Sequence, residues 1–260
     1  MVGENGNKLF HRQRFEHQHV RLSAKAPWVR WLELIGSLGA AVAVTGAGVA
    51  VIDMPSAAAA PGQCRYTATT TEQGAKDVGN PPARPADIGT VKATLKIGVG
   101  NRDRDDISLD LDGNSAPCTV NSFTYLAGKD FYDNTQCHRL TTGALKVLQC
   151  GDPTGTGTGG PSYTFGEENL PKADPGKETA TYPKGTVAMA NAGAGTNGSQ
   201  FFLVYGDSEL PPAYTVFGKI TSGMDLLEQI ARAGTDQANG EGDGAPTTAV
   251  TIQDVTIARK

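Results

Sequence analysis

The sequence predicts a mainly β fold, a closed barrel with two helices at its open ends. Three observations carry this. The chain has 33 Gly and 15 Pro among 260 residues, which favours many turns over a helical bundle. Its apolar residues alternate or run in short stretches, as strands do. Only two segments carry helix end signals. Closure follows because so many short strands would otherwise leave exposed edges.

Taken in order, Val91, Ala93, Leu95 and Ile97, then Ile107, Leu109 and Leu111, alternate with polar residues and predict two strands with one buried face. Residues 101–106 form the turn between them. Pro117, with Val120, Phe123 and Ala127 at helical spacing and Gly128 behind them, predicts the first helix. The apolar runs at 186–190, 201–204 and 215–220 are short and bounded by Gly, Asn or Pro, which predicts buried strands. Met224, Leu227, Ile230 and Ala231, ending at Gly234, predict the second helix, with Ser222 as N-cap and Asp225 as its acidic partner. Val250 and Ile252 alternate, and Val255 and Ile257 resume out of phase, which predicts a closing strand with a β-bulge.

The region before the barrel divides by composition. Residues 1–33 form a basic cytoplasmic tail, with Lys8, Arg12, Arg14, Arg21, Lys25 and Arg30 set against Glu4, Glu16 and Glu33 for a net of +3. The chain's overall −4 then leaves −7 on the rest, a sign that excludes a phosphate-binding footprint and so nucleic acid as a partner. Residues 34–52 are nineteen uncharged positions, long enough to cross a hydrocarbon core. They are expected to be an uncleaved anchor over 34–53, because the leader before them is long and basic. The alternative is a cleaved signal segment processed near Ala60. Either way the remainder is exported. Residues 54–88, with Pro55, Pro61, Pro81, Pro82 and Pro85, read as an extended linker that buries no core, and the folded domain is expected over 89–260.

Cys64, Cys118, Cys137 and Cys150 all lie beyond the hydrophobic segment, and their even number agrees with export and two disulfides. Three pairings are open. No C-x-x-C occurs, and only His138 adjoins a cysteine, so no metal site is expected.

Other chemistries find no support in the motifs. The segment GDPTGTGTGG at 151–160 resembles a phosphate loop only in glycine content; no Lys-Ser/Thr pair or helix-forming stretch follows, so it reads as a wide turn. There is no G-x-S-x-G, and Ser199 lies in Asn-Gly-Ser-Gln-Phe. His138 is the only histidine after residue 19, which excludes a two-His metal site and a triad built elsewhere; on its own it reads as structural. What remains is Arg139, Gln149, Asn191 and Gln200, interleaved with Phe201, Phe202 and Leu203. Amides pair with backbone groups and aromatics wall an apolar pocket, so the set suits an extended peptide.

Four blocks in register resemble the cyclophilin family: CHRL, QCGDPTGTGTGGPSYTF, GTVAMANAGAGTNGSQFFLVY and YTVFGKI, within residues 89–260. The long leader and the cysteines are similar to exported or membrane-anchored actinobacterial members. The resemblance implies an eight-stranded antiparallel barrel capped by two helices, and peptidyl-prolyl cis/trans isomerisation of Pro-containing polypeptides without a cofactor. It implies Arg139, Gln149 and Phe202 as catalytic residues, and His138, Val147, Ala190, Asn191, Gln200, Leu210 and Tyr214 as substrate contacts. The alternative is a low-turnover module that docks Pro-containing segments of a partner. A monomer is expected, since no heptad or apolar surface stripe is visible. Four departures stand out: two extra residues between Arg139 and Gln149, Lys146 where a pocket Phe is common, Glu209 where Trp is frequent, and Tyr214 where His is usual. Without that indole, weak cyclosporin binding is expected.

Overall fold

A computed structural model describes residues 62–69, 75–85, 89–103 and 106–258. Eight strands of four residues or more and two helices make the frame. They are β1 (Thr90–Val99), β2 (Ile107–Asp112), α1 (Pro117–Ala127), β3 (Arg139–Thr142), β4 (Lys146–Cys150), β5 (Thr186–Met189), β6 (Phe201–Val204), β7 (Val216–Ser222), α2 (Met224–Ala233) and β8 (Val250–Ala258).

Antiparallel pairing runs β3-β4-β6-β5-β7-β2-β1-β8. The sheet then returns on itself, because Thr135–Gln136, which leads into β3, pairs with β8. The main sheet counts eleven strand segments rather than eight, since Thr135–Gln136, Arg102–Asp103 and Asp243–Gly244 add short ladders to its margins. Arg102–Asp103 pairs back onto β1, so part of the expected 101–106 turn is sheet.

The alternating strands behave as their period requires: Val91, Ala93, Leu95 and Ile97 of β1 and Ile107, Leu109 and Leu111 of β2 all point into the core. The predicted bulge is present, as a register shift between Ile252 and Asp254 of β8.

The unbroken apolar strands have a different cause. Phe201 and Leu203 of β6 and Val187 and Met189 of β5 face the barrel interior, whereas Phe202, Val204 and Ala188 face an outer apolar cluster. A sheet buried on both faces has no polar side to alternate with.

The first helix opens at Pro117 as expected, and the second differs from expectation at its start. Helix α1 begins at Pro117 with no side-chain N-cap. Its free donors go instead to Glu168, whose carboxylate accepts from Cys118 N (3.1 Å), Thr119 N (2.8 Å) and Thr119 Oγ1 (2.9 Å). For α2 the N-cap is Gly223, not Ser222. Gly223 has φ 87°, a left-handed conformation, and a Cβ there would meet Asp106 O at 2.7 Å. Ser222 closes β7, paired with Ser108, and is unavailable as a cap.

The linker reading gives way for its described part. Cys64 is buried and bonded to Cys118 of α1, and Cys137 is bonded to Cys150. The Tyr66 ring stands edge-on to Tyr163 (5.3 Å between centroids) and Phe165 (5.6 Å), and its hydroxyl donates to Cys118 O (2.8 Å). Thr67–Ala68 pairs with Tyr163–Thr164, and Ala75–Lys76 runs parallel to Gly160–Pro161. Proline and small residues rule out a core of the segment's own; they do not stop it from borrowing the barrel's. Residues 1–33 and the expected anchor at 34–53 lie outside the described residues. Among the described residues no helix is long and apolar enough to cross a membrane.

Candidate active site

Strand register brings the site together. Arg139 of β3 lies opposite Gln149 of β4, Gln149 opposite Phe202 of β6, and Phe202 opposite Ala188 of β5. Directly paired residues project to the same face, so these four form one row across the outside of the sheet. The next row, Leu140, Leu148, Leu203 and Val187, faces the core. A slip of one residue would send Phe202 inward, and the packed interior row forbids it.

Phe202 is the floor of the outer cluster, with Val147, Ala180, Tyr182, Ala188 and Val204 buried beside it and Ala190, Leu210 and Tyr214 packed on them. Tyr214 stands edge-on to Phe202 at 5.7 Å. The sequence-expected Val147, Ala190, Phe202, Leu210 and Tyr214 are thus in one place. Tyr182 was missed. It is fully buried, and its hydroxyl donates to Pro211 O (3.1 Å) or Tyr214 O (3.3 Å) and accepts from Tyr214 N (3.2 Å), tying down the turn that carries Tyr214. Its only signal was a tyrosine in a polar segment before β5.

The polar side chains form a chain. Arg139 Nη1 reaches toward Gln149 Oε1 (3.5 Å), Gln149 Nε2 donates to Gln200 Oε1 (2.9 Å), and Gln200 Nε2 donates to Gly157 O (3.0 Å) and Gly159 O (2.9 Å). The other edge of the Arg139 guanidinium is taken by Asp243, with Nε to Oδ1 at 2.8 Å and Nη2 to Oδ2 at 2.7 Å. Arg139's hydrogen bonds hold the Asp243 carboxyl below the usual range, against a smaller opposing effect of burial. Asn191 stands apart from this chain; its amide nitrogen donates to Ala213 O (2.9 Å).

The glycine-rich turn at 151–160 is organised by Asp152, which is fully buried. Its Oδ1 accepts from Thr154 N (2.7 Å) and Thr154 Oγ1 (2.7 Å), and its Oδ2 from Gly157 N (2.6 Å) and Gly159 N (3.1 Å). Burial acts to raise the Asp152 pKa, but these donors outweigh it and hold the carboxyl below its ordinary value. The glycine at 159 is required, because a Cβ would run into that carboxylate. An Asp with Thr two residues on is a legible turn signal, which the wide-turn reading passed over.

His138 stands beside the glycine-rich turn, next to the polar row. A Cβ on Gly157 would lie 3.4 Å from its Cδ2, and Gln200 and Asp152 are its polar neighbours. Burial is the main cause lowering its pKa, against the opposing effects of Asp152 and Gln200.

A guanidinium, a row of amides and an aromatic floor lie together on the outer face of a curled antiparallel sheet. The family description "Cyclophilin type peptidyl-prolyl cis-trans isomerase/CLD" matches residues 94–257. The chain belongs to this cyclophilin-type isomerase family.

Among relatives, the probable peptidyl-prolyl cis-trans isomerase B of Mycobacterium leprae is 49% identical over 203 residues, 75% of this chain and 66% of that protein. The B protein of Mycobacterium tuberculosis is 50% identical over 183 residues, 66% of this chain and 56% of that protein. The chain therefore spans under two thirds of these B-type relatives. The peptidyl-prolyl cis-trans isomerase A of Mycobacterium tuberculosis is 38% identical, and 94% of it is covered. Of solved structures, a Cryptosporidium parvum cyclophilin-type isomerase crystallised in the presence of the dipeptide Ala-Pro matches with TM-score 0.52 and 28% identity, over 65% of this chain and 99% of that one.

Proposed function

We propose that this chain catalyses cis/trans isomerisation of Xaa-Pro bonds in exported proteins, as a monomeric folding helper tethered by residues 34–53 with its barrel outside the membrane. The observation that carries the reading is the row from Arg139 through Gln149 to Phe202, a cation beside an aromatic floor. The barrier to rotation is amide resonance, about 18–20 kcal/mol. Twisting removes the resonance and leaves a more basic, pyramidal prolyl nitrogen. A guanidinium hydrogen-bonded to that nitrogen favours the twisted state over either planar one, and each ~1.4 kcal/mol of that preference is tenfold in rate. Phe202, Val147, Ala190, Leu210 and Tyr214 would hold the proline ring, while Gln149, Gln200 and Asn191 hold the peptide backbone. His138, beside Gly157 and Gln200, would be a further substrate contact. The step needs no nucleophile, and no proton has to leave the substrate. The Ala-Pro dipeptide used with the parasite relative supports a Pro-containing ligand.

The test is NMR exchange on an Xaa-Pro peptide with the full chain and with Arg139→Ala. Acceleration that falls at least ~10-fold in the variant, about 1.4 kcal/mol of transition-state stabilisation, supports the assignment. Folded wild-type protein that binds the peptide without accelerating exchange would refute it and leave the binding-module reading.

A further inference from the structure

The Arg139 guanidinium is not free to turn. Its Nε and Nη2 edge lies against both oxygens of Asp243, at 2.8 and 2.7 Å. This paired, planar geometry fixes the guanidinium plane as well as its position. Asp243 is itself held from several directions. Asp243–Gly244 pairs with Thr141 and Leu140 of β3, Asp243 N donates to Gly240 O (3.0 Å), and Asn239 Nδ2 donates to Asp243 Oδ1 (3.2 Å). The turn behind it is knit by Asp236, whose Oδ1 accepts from Ala238 N (3.1 Å) and Ala245 N (2.9 Å). Thr142 N donates to Gly242 O (2.8 Å), which fastens this turn to the end of β3.

With Nε and one N–H of Nη2 taken by Asp243, Nη1 is turned toward Gln149, 3.5 Å from its Oε1 and the next member of the outer row. We propose that Asp243 is a positioning residue for the isomerisation, a carboxylate clamp that orders Arg139 before substrate arrives and aims Nη1 at the prolyl nitrogen. The clamp removes the rotamer freedom a long side chain would otherwise lose at the transition state. The proposal rests on the isomerase reading above.

The test is kinetics on the full chain with an Xaa-Pro peptide, with the Arg139 Nε–H resonance as a second readout. Asp243→Asn lowers kcat by about ten- to a hundredfold, the scale on which misplacing a catalytic group acts, and leaves KM within about twofold. Exchange of the Arg139 Nε–H with solvent becomes faster in the variant. Glu241→Gln, an exposed charge change on the same turn, leaves both readouts alone. In an Arg139→Lys background, Asp243→Asn causes little further loss, since it acts through the arginine. Should Asp243→Asn not fold, Asn239→Ala, which strips one hydrogen bond from Asp243, shows the same split at smaller size. Wild-type turnover with unchanged kcat in folded Asp243→Asn overturns this inference alone. A folded wild type without turnover overturns the isomerase reading and the clamp's role with it.

Discussion

Replacing Asp152 with Asn should destabilise the barrel although the side chain keeps its shape. The carboxylate accepts four hydrogen bonds, two at each oxygen, and is fully buried. Asn offers one oxygen and one NH2, so one pair of donors must face a donor. Its best orientation turns the NH2 toward Thr154, where the hydroxyl can rotate to accept, and only Thr154 N is then left unsatisfied. That orphan costs roughly 1–3 kcal/mol, and demoting the two glycine bonds from charged to neutral acceptors costs about 1 kcal/mol each. The sum of about 3–5 kcal/mol corresponds to a fall in Tm of roughly 6–20 °C for a domain of this size. Gln200 takes its acceptors from Gly157 and Gly159, so kcat should fall with the loop.

The pH dependence gives a second signature of the same residue. The Asp152 pKa is lower in the folded chain than in the unfolded one, because four donors outweigh the burial that would raise it. Its contribution is therefore full above the ordinary carboxylate pKa and is lost as pH falls through the lowered folded value. Thermal unfolding by near-ultraviolet circular dichroism, compared for wild type and Asp152→Asn across pH, should show a Tm gap at neutral pH that closes on acidification. A gap under about 2 °C at neutral pH, or one that stays constant into acid, would refute the reasoning.

Tyr182→Phe removes the hydroxyl holding Pro211 and Tyr214; at about 1–2 kcal/mol for an orphaned backbone group, peptide titration should show KM raised severalfold with a small loss of Tm. Cys64→Ala opens a loop of sequence separation 54, worth about 4 kcal/mol by chain entropy, and limited proteolysis should then cut within 62–85 where the wild type resists. Glu209 pairs with Lys177 on the strand beside Leu210, where an indole would be needed, so cyclosporin should inhibit isomerisation poorly; sub-micromolar inhibition would contradict this.

Much of the barrel was legible because a strand's period is local. Val91 to Ile97 and Ile107 to Leu111 alternate for a reason that needs no partner beyond one apolar side. Arg139, Gln149 and Phe202 were legible from family blocks, and the sheet register sets the paired positions 139, 149 and 202 on one face. The first cap of α2 was misread because Ser222 has the right chemistry in the wrong element; it finishes β7, and the left-handed turn falls to Gly223.

By itself the sequence determined the alternating strands, both helices, the even cysteine set and a peptide-suited group of Arg139, Gln149, Gln200 and Phe202. It also marked residues 54–88 as unable to form a core, and left open whether a neighbour would supply one. Only the tertiary structure decided that Cys64 joins Cys118, that Tyr66 docks on Tyr163, and that Asp243, 104 residues beyond Arg139, clamps its guanidinium. The reason is physical. Periodicity and turn chemistry act over a few residues and are written in the order of the chain, whereas these contacts depend on which strands the closing sheet sets side by side.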